Sequence, residues 1–559
     1  MAEQKLFLRK ATGLVREIGF TTGMIIILAH VIGVGWQKRV FQASGWTPLG
    51  TDKYFLGLHP VVMAFIVGGI GILFFTYAYS VMTTAMPRSG GGYVFISRIL
   101  SPGIGFVCAG LAFMSTSVSY GQIGVFCWEA FGIFAPVTGI ALPAFMTAPW
   151  GITIFGALVV ILFAVIGAMG VRQWGRFLHA IFWVPVAILA LVLIVFLFVS
   201  EGAVTSGVQA IYGHAPLEYT QAAIAQGMDT AAAANTYWGA VRTAMIGAIW
   251  AFGGWAATTY VAGEVREATR NVPKILFGAN IAIIVLYIIV SLLLSRMGNL
   301  AGRVGDLNFM NAVAYLGPGA GSFADAGLPE IGPWMSNFAA IGAKGLFAGA
   351  LGNVMAFLIL VFAILWAAND IPPFILVTSR TIFAMAFDRM LPERLGEIHE
   401  DYHSPVNAII LSAVIAILLG CTSESNALGE IPGFVGKWLN PASMLTATDV
   451  WQGVWDIFIT VALIFFPLRL PQLWERTPWR HSKTTTQVMG VIGLLFSLYF
   501  MYAYLFDPNG WDILSGFNPA LVGGGIVILI WIGLYFFYSN RAKVTGVDLT
   551  TIFADIPPE

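Results

Sequence analysis

Two stretches of the sequence decide its fold: IILAHVIGVGWQ at residues 26–37 and IWAFGGWAATTY at residues 249–260. Each belongs to a long apolar block, and each carries two glycines near its middle. Glycine costs about 1 kcal/mol relative to alanine in a helix interior. Backbone that is not helical is tolerated inside a membrane only where it faces protein or water. The two stretches therefore predict two membrane helices that are interrupted near the centre of the bilayer.

The composition of the whole chain agrees with a membrane location. Of its 559 residues, 58% are hydrophobic and 10% are charged, and the mean hydropathy is +0.82. Soluble domains carry about 25% charged residues, so this chain lacks the polar residues to cover a water-exposed surface. Acidic and basic residues balance at 28 each, which leaves no basic excess for binding nucleic acid. We expect its partners to be the lipid bilayer and a small molecule; the sequence does not indicate an oligomeric state.

Apolar blocks long enough to cross about 30 Å of hydrocarbon as a helix occur repeatedly along the chain. We predict an all-α polytopic membrane protein with twelve spans, at residues 18–37, 60–84, 103–134, 152–171, 177–199, 240–263, 274–295, 341–368, 405–422, 448–469, 486–506 and 519–538. If the N-terminus is cytoplasmic, the inner segments hold 20 of the 28 basic residues and the outer segments hold 8. This excess predicts that both termini are cytoplasmic, in the cell membrane. Lys38 and Arg39, expected just outside span 1, are the clearest exceptions.

The spans divide the chain into six segments. We predict a cytoplasmic N-terminal segment, a first set of five spans, an extracellular loop, a second set of five spans, a final pair of spans and a cytoplasmic tail, at residues 1–17, 18–200, 201–239, 240–470, 471–538 and 539–559. The interrupted helices are then spans 1 and 6, the first of each set, as an inverted repeat of five plus five helices predicts. The loops at 201–239, 298–340 and 422–447 are rich in small residues and are predicted to be irregular.

An interruption inside the bilayer leaves backbone polar groups free to meet a ligand. N–H groups at one half-helix suit a carboxylate and C=O groups at the other suit an ammonium, so the two breaks predict a substrate site at the membrane midplane. The alternative is that these glycines only allow helices to pack closely, as Gly68, Gly69 and Gly71 of span 2 are expected to do.

Several motifs resemble those of the amino acid–polyamine–organocation (APC) permeases. The loop MPRSGGGY at 86–93 resembles the loop that follows the second span in that family. The stretch FGGWAATTYVAGEVREATRNVP at 252–273 resembles its sixth span and the loop after it. Ser379-Arg380 with FAMAFDRMLP at 383–392 resembles the inner end of its eighth span, and His403-Ser404-Pro405 resembles the start of its ninth.

The resemblance implies a LeuT-type fold, with ten helices in two inverted repeats and two additional C-terminal helices. It also implies a secondary transporter of amino acids or related amines that works by alternating access. In the family the substrate carboxylate meets N–H groups of the first break, and the amino group meets carbonyls of both breaks. Carried over by position, the implied binding residues are Ile32, Gly33, Val34, Gly35, Phe252, Gly253, Gly254 and Trp255. The chain departs from the usual family pattern at Val34, between the two glycines, and at Ala256, where many members carry Glu.

A few polar or aromatic side chains in or next to the spans are candidates for coupling or gating: His30, Glu129, His179, Trp250, Asn353, Asp456 and, just after span 8, Asp370. His30 precedes the first break and has an unperturbed pKa of about 6.5, so it could carry a proton; the alternative is that it caps a carbonyl freed by the break. Predicted span 8 contains no Ser or Thr, so we expect no sodium site built on hydroxyls there. Some proton-coupled relatives carry a Lys in span 5 where Pro185 falls here. Proton symport, exchange and uniport all stay open.

The sequence gives no sign of a catalytic centre. Cys-x-x-Cys and phosphate-binding Gly-Lys-Ser/Thr motifs are absent, and the three cysteines lack the spacing of metal ligands. We therefore expect a transporter rather than an enzyme, without cofactor or metal. A nutrient sensor of the same fold that transports nothing is the main alternative, and a polytopic membrane enzyme is a weaker one. The lack of a clear buried charge in spans 1 and 6 favours neutral, bulky substrates.

Overall fold

The computed structural model describes residues 14, 16–43, 45–139, 141–429, 431–506 and 519–554. Most of the predicted N-terminal segment and the last five residues of the predicted tail lie outside these ranges. Within the described residues the chain is helical, and its β contacts are isolated bridges such as the one between Ile18 and Val265.

The helices that correspond to the predicted spans are labelled α1 to α12. Their bounds are Phe20–Val31, Pro60–Ala85, Pro102–Thr138, Pro149–Ala168, Val171–Phe198, Tyr237–Ala251, Ala268–Gly298, Gly349–Phe387, Val406–Ile415, Pro441–Arg469, Lys483–Phe506 and Pro519–Val544. In the described part of the chain, eleven helical segments are long and apolar enough to cross a membrane. For spans 1 and 9 the segment includes the helical turns that continue α1 and α9, to Gln42 and to Glu424. The span whose helix is not among the eleven is the sixth, because α6 has 15 residues and no helix of that kind continues it. The structure confirms an all-α polytopic membrane protein.

The predicted division between spans 4 and 5 is confirmed. Helix α4 ends at Ala168 and α5 begins at Val171. Gly170 between them has a φ of +95°, and a Cβ at this position would lie 2.4 Å from the carbonyl oxygen of Tyr402. Only glycine adopts this conformation without strain, so Gly170 lets two long helices follow each other with almost no loop.

The segments predicted to be irregular loops contain helices, so that prediction was wrong. Between α5 and α6 these are Glu201–Tyr212, Pro216–Ala225 and Met228–Ala234, and between α7 and α8 they are Phe309–Leu316 and Met335–Leu346. The first is capped by the Ser200 side chain, which accepts a hydrogen bond from the N–H of Ala203. Alanine is the strongest helix former and serine is a preferred cap, and these local signals outweigh the small-residue composition that suggested a loop.

The predicted end of span 8 at residue 368 is also wrong, because α8 continues to Phe387 over 39 residues. Asp370, expected after the span, lies in the middle of this helix and is 2% exposed. The consecutive prolines Pro372 and Pro373 lie inside the helix without ending it. Charged residues and prolines suggested a helix end, but here the charged side chains are paired inside the protein, as described below.

The longer α8 contains hydroxyl side chains that the shorter prediction left out. Thr378, Ser379 and Thr381 are buried, and each donates a hydrogen bond to a carbonyl of its own helix at 2.9–3.1 Å. The prediction that span 8 offers no hydroxyls to a sodium ion therefore loses its basis.

Three of the motif segments meet at the end of the helix bundle that holds Ile18. The Arg380 guanidinium of α8 donates two hydrogen bonds to the Glu264 carboxylate, at 2.9 and 3.0 Å, and both side chains are buried. The N–H of Gly90 donates to the carbonyl of Tyr260 at 3.0 Å, and the N–H of Ile18 donates to the carbonyl of Glu264 at 3.0 Å. The segment after α6 is thus tied to α8, to the loop at 86–93 and to the chain that leads into α1.

We expect Glu264→Gln to lower the thermal stability of the detergent-purified protein. The substitution leaves Arg380 buried without its counter-charge, and removing one partner of a buried ion pair costs about 3–5 kcal/mol. The measurement is the unfolding midpoint. Glu267→Gln is the matched control, because Glu267 pairs with Arg270 in the open, where the two side chains are 67% and 71% exposed and the pair contributes about 0–1 kcal/mol. Equal midpoints for the two variants would contradict the prediction.

Candidate functional site

The expected interruption of span 1 is present. Helix α1 ends at Val31, and Ile32 has a non-helical ψ of 71°. A π-helical turn at Gly35–Arg39 and a short helix at Val40–Gln42 continue the span. A Cβ on Gly35 would lie 2.3 Å from Cα of Ala251, and one on Gly33 would lie 1.9 Å from Oδ2 of Asp370. These glycines therefore serve close packing as well as the break.

The interruption of span 6 lies directly beside it. Helix α6 ends at Ala251, and the chain continues through turns into short 3₁₀ segments at Ala257–Tyr260 and Ala262–Glu264. Gly254 within the turns has a φ of +95°, and a Cβ there would lie 2.3 Å from Cδ2 of His30. Gly254 thus provides both a backbone conformation and a space that other residues do not.

One side chain of α7 joins the two breaks. The Tyr287 hydroxyl lies 2.5 Å from the carbonyl oxygen of Val31 and 2.9 Å from that of Ala251, the last residues of α1 and α6. A hydroxyl has a single proton, so the two carbonyls share one donor. Tyr287 could not be identified from the sequence, because nothing in an apolar span shows which of its side chains faces a partner.

The N–H groups expected to bind a substrate carboxylate are largely occupied by the protein itself. The N–H of Ile32 donates to the carbonyl of Leu28, and that of Gly33 donates to the carbonyl of Val31, both at 2.9 Å. The N–H of Val34 donates to the carboxylate of Asp370. A protein carboxylate therefore stands at the start of the second half of span 1, where the positive end of a helix favours an anion.

A cavity opens beside the span 6 break, between α3, α8, α10 and α11. Its empty volume, including the part that opens to solvent, is about 810 Å³. Of the predicted site residues, the structure brings six to its wall: His30, Trp250, Gly253, Gly254, Trp255 and Asp456. The others implied by the resemblance, Ile32, Gly33, Val34, Gly35 and Phe252, are buried in the packing beside the cavity and do not line it.

His30 is held in the cavity wall by packing. Its ring centroid lies 4.0 Å from that of Phe374 in α8, and its Nδ1 has no hydrogen-bond partner in the described part of the chain. The carbonyls of the breaks are bonded by Tyr287 instead. The alternative that His30 caps a freed carbonyl is therefore not realised in this structure.

Helix α10 supplies a polar face to the same cavity. Asp449, Gln452 and Asp456 all line it, and Nε2 of Gln452 donates to Oδ1 of Asp456 at 3.1 Å. Asp449 is 5% exposed, and its Oδ2 has no hydrogen-bond partner in the described residues. Of these three residues only Asp456 was predicted from the sequence, although their spacing at i, i+3 and i+7 is that of one helix face.

Glu129 belongs to a cluster that the sequence did not reveal, which we call the outer ionic cluster: Lys38, Arg39, Glu129 and Glu424. Lys38 pairs with Glu129 and lies 3.5 Å from Glu424, and Arg39 lies 3.3 Å from Glu424. Lys38 and Arg39 were expected outside span 1, but they lie on its continuing helix, and Arg39 is fully buried. The opposing charges explain how they can be there, since buried charges are tolerated when paired.

Trp250 separates the outer ionic cluster from the cavity. The Arg39 guanidinium lies over the indole ring of Trp250, 4.7 Å from its centroid. The Trp250 side chain also lines the cavity. Asn353, by contrast, is exposed near the start of α8 and bonds to Lys344. The structure therefore brings Trp250 to the site and does not bring Asn353 there.

The letters HEDYH at residues 399–403 match the H-E-x-x-H pattern of zinc proteases. That pattern binds zinc when both histidines lie on one face of a helix, but here the residues form a turn between α8 and α9, and His403 has a φ of 48°. No group of three or more His, Cys, Asp or Glu side chains able to hold a metal occurs within the described ranges. The match is one of letters alone.

Two interrupted helices meet beside a polar cavity, and eleven helical segments of the described residues are long enough to cross a membrane, which defines this chain as a polytopic helical membrane protein. The amino acid permease family model matches residues 13–531, and the chain belongs to that family. It is 22% identical over 490 residues to a branched-chain amino acid permease of Lactococcus lactis, covering 86% of this chain and 88% of that protein.

Other relatives are also named as amino acid transporters or exchangers. A serine/threonine exchanger of Bacillus subtilis is 22% identical over 427 residues, with 76% of this chain and 80% of that protein covered. The large neutral amino acids transporter small subunit 2 of Oryctolagus cuniculus is 22% identical over 423 residues, with coverages of 75% and 67%. The family and these names indicate an amino acid transporter, as the motifs predicted.

We expect Tyr287→Phe to destabilise the protein by about 1–3 kcal/mol, because two buried carbonyls lose the donor they share. The unfolding midpoint of purified protein measures the effect. Tyr402→Phe is the control, since Tyr402 is 45% exposed. A midpoint for Tyr287→Phe that matches the control would show that water or another group replaces the hydroxyl.

Proposed function

We propose that this chain is a secondary transporter that carries amino acids or related amines across the cell membrane by alternating access. The substrate would bind in the cavity at the two breaks, against His30, Trp250, Gly253, Gly254 and Trp255. The observation that carries this proposal is the contact of the two interrupted helices at one polar cavity, with Gly254 against His30.

Ion pairs on both sides of the cavity support alternating access. On one side Arg39 of the outer ionic cluster lies against Trp250. On the other side Glu264 pairs with Arg380, and Arg98 donates to Asp388 at 2.6 and 2.8 Å. Both members of each pair belong to the protein, so a pair can break and form again with the same partner. Such pairs suit a site that opens to one side of the membrane at a time.

The topology that we infer has twelve spans, with a LeuT-type repeat over residues 18–200 and 240–470 and two further helices. Both termini would be cytoplasmic, because 20 of the 28 basic residues then lie on the inner side. The break after Ala251 accounts for the difference between the twelve inferred spans and the eleven membrane-length helical segments of the described residues, since α6 and the segment to Glu264 together form the sixth span.

A sensor of the same fold would keep the cavity but move nothing. The relatives described above are named as permeases, transporters or exchangers, which favours transport. Flux decides between the two functions, because a sensor binds an amino acid without accumulating it in a vesicle.

We expect purified protein in proteoliposomes to take up at least one labelled amino acid, in a scan with and without a proton or sodium gradient. With that substrate, Gly254→Ala should lower the initial rate at least tenfold, because the new Cβ meets His30 and the φ of +95° strains any other residue. Gly525→Ala in α12 is the control, since its Cβ would meet nothing within 4 Å.

Absence of uptake for every amino acid and amine, by protein that is folded and inserted, would contradict the transporter proposal. Equal uptake by Gly254→Ala and Gly525→Ala would instead remove the second break from the substrate site while leaving transport in place.

We further propose that transport is coupled to protons and that His30 is the group that carries them, since His30 lines the cavity and its Nδ1 is buried without a hydrogen-bond partner in the described residues. The titratable groups that share the cavity are Asp449, Asp456, Tyr79, Tyr260 and Tyr504. We expect His30→Gln to abolish the stimulation of uptake by an inward proton gradient while counterflow without a gradient continues. Stimulation that persists in this variant would move the proton site to another of these groups.

A further inference from the structure

The cavity wall carries two carboxylates on one helix. Asp449 and Asp456 of α10 lie seven residues apart, which is about 10 Å along a helix axis, and both line the cavity. Each is 5% exposed. One oxygen of Asp456 accepts from Gln452, whereas Oδ2 of Asp449 is buried without a partner in the described residues. An unpaired buried carboxylate is unfavourable unless something supplies the missing charge or hydrogen bonds.

In the described part of the chain, the cavity wall itself supplies no fixed positive charge to these two groups, and the charge of Arg39 acts on Asp449 from outside that wall. None of the residues that line the cavity, all of them in the described part of the chain, is Lys or Arg, and His30 is the only basic side chain among them. The Arg39 guanidinium does not line the cavity: it lies against the Trp250 ring and is bonded to Glu424 and Gln42. No ion pair joins it to Asp449 within the described residues.

The remaining wall is aromatic, which suits the same kind of ligand. Trp250, Trp255, Tyr79, Tyr260 and Phe500 line the cavity together with the two carboxylates. Aromatic faces attract ammonium and guanidinium groups, and carboxylates bind them through charge-assisted hydrogen bonds. A third carboxylate, Asp370, occupies the N–H of Val34 at the first break, so the region as a whole is acidic.

We propose that Asp449 and Asp456 form a subsite for a cationic group on the substrate side chain, so that the transported class is amino acids with a basic side chain. This inference rests on the transport function proposed above. It replaces the expectation of neutral substrates, which considered charges only in spans 1 and 6. The cation enters as a second positive group, in addition to the α-amino group.

L-Arginine and L-citrulline provide the sharpest comparison, because they match in length and differ in the charge of the side chain. We expect arginine, lysine or ornithine to compete for uptake of the best labelled substrate at least tenfold more strongly than citrulline. Asp449→Asn or Asp456→Asn should reduce that preference at least tenfold while competition by citrulline is unchanged. Asp229→Asn, at an exposed position in the helix Met228–Ala234, is the control and should leave the preference unaltered.

The possible results separate the subsite from the transport function. Equal competition by arginine and citrulline in the unmodified protein overturns the subsite without any variant having to fold. A preference for arginine that survives both substitutions also overturns it. If the substitutions remove only the response to a proton gradient, the carboxylates carry protons and the subsite is overturned. Failure of every amino acid to be taken up contradicts the transporter itself.

Discussion

The structure depends on how backbone polar groups are satisfied where two helices stop inside the membrane. A carbonyl without a donor in hydrocarbon is costly, so a break persists only if the protein supplies partners. Tyr287 does this for both helices at once, because its hydroxyl reaches the carbonyls of Val31 and Ala251. Asp370 does it for the N–H of Val34. The two breaks are therefore joined through α7 and α8, and a change in one alters the contacts of the other.

Some backbone groups at the two breaks are already bonded within the protein, and others remain accessible to a ligand. The N–H groups of Ile32, Gly33 and Val34 are bonded within the chain, whereas the turns at Gly253 and Gly254 border the cavity. A substrate in this conformation would meet the second break more readily than the first. A substrate carboxylate can bind to these N–H groups at the first break only if their hydrogen bonds to Asp370 or to a nearby carbonyl break first.

Much of the fold could be predicted from local sequence, and the site only in part. Paired glycines marked the breaks because glycine acts on its own backbone, and Gly33 and Gly254 lie where expected. Span 8 was cut short because Asp370 and Arg380 carry charge, and only the tertiary structure shows that Val34 and Glu264 pair with them. Tyr287 could not be predicted for the same reason, because its partners Val31 and Ala251 are known only from the tertiary structure. Lys38 and Arg39 were placed outside the membrane because their carboxylates come from Glu129 and Glu424, far away in sequence.

The distribution of charge connects the fold to transport. In the outer ionic cluster two basic residues face two acidic ones, and at the other end Arg380 and Arg98 each face one carboxylate. Both ends are therefore balanced in charge without a ligand. Asp449 and Asp456 lie between these two ends, and no Lys or Arg is among the residues that line the cavity with them. In the proposed subsite, a cation supplies the positive charge that Asp449 and Asp456 lack without competing with the ion pairs at either end of the cavity.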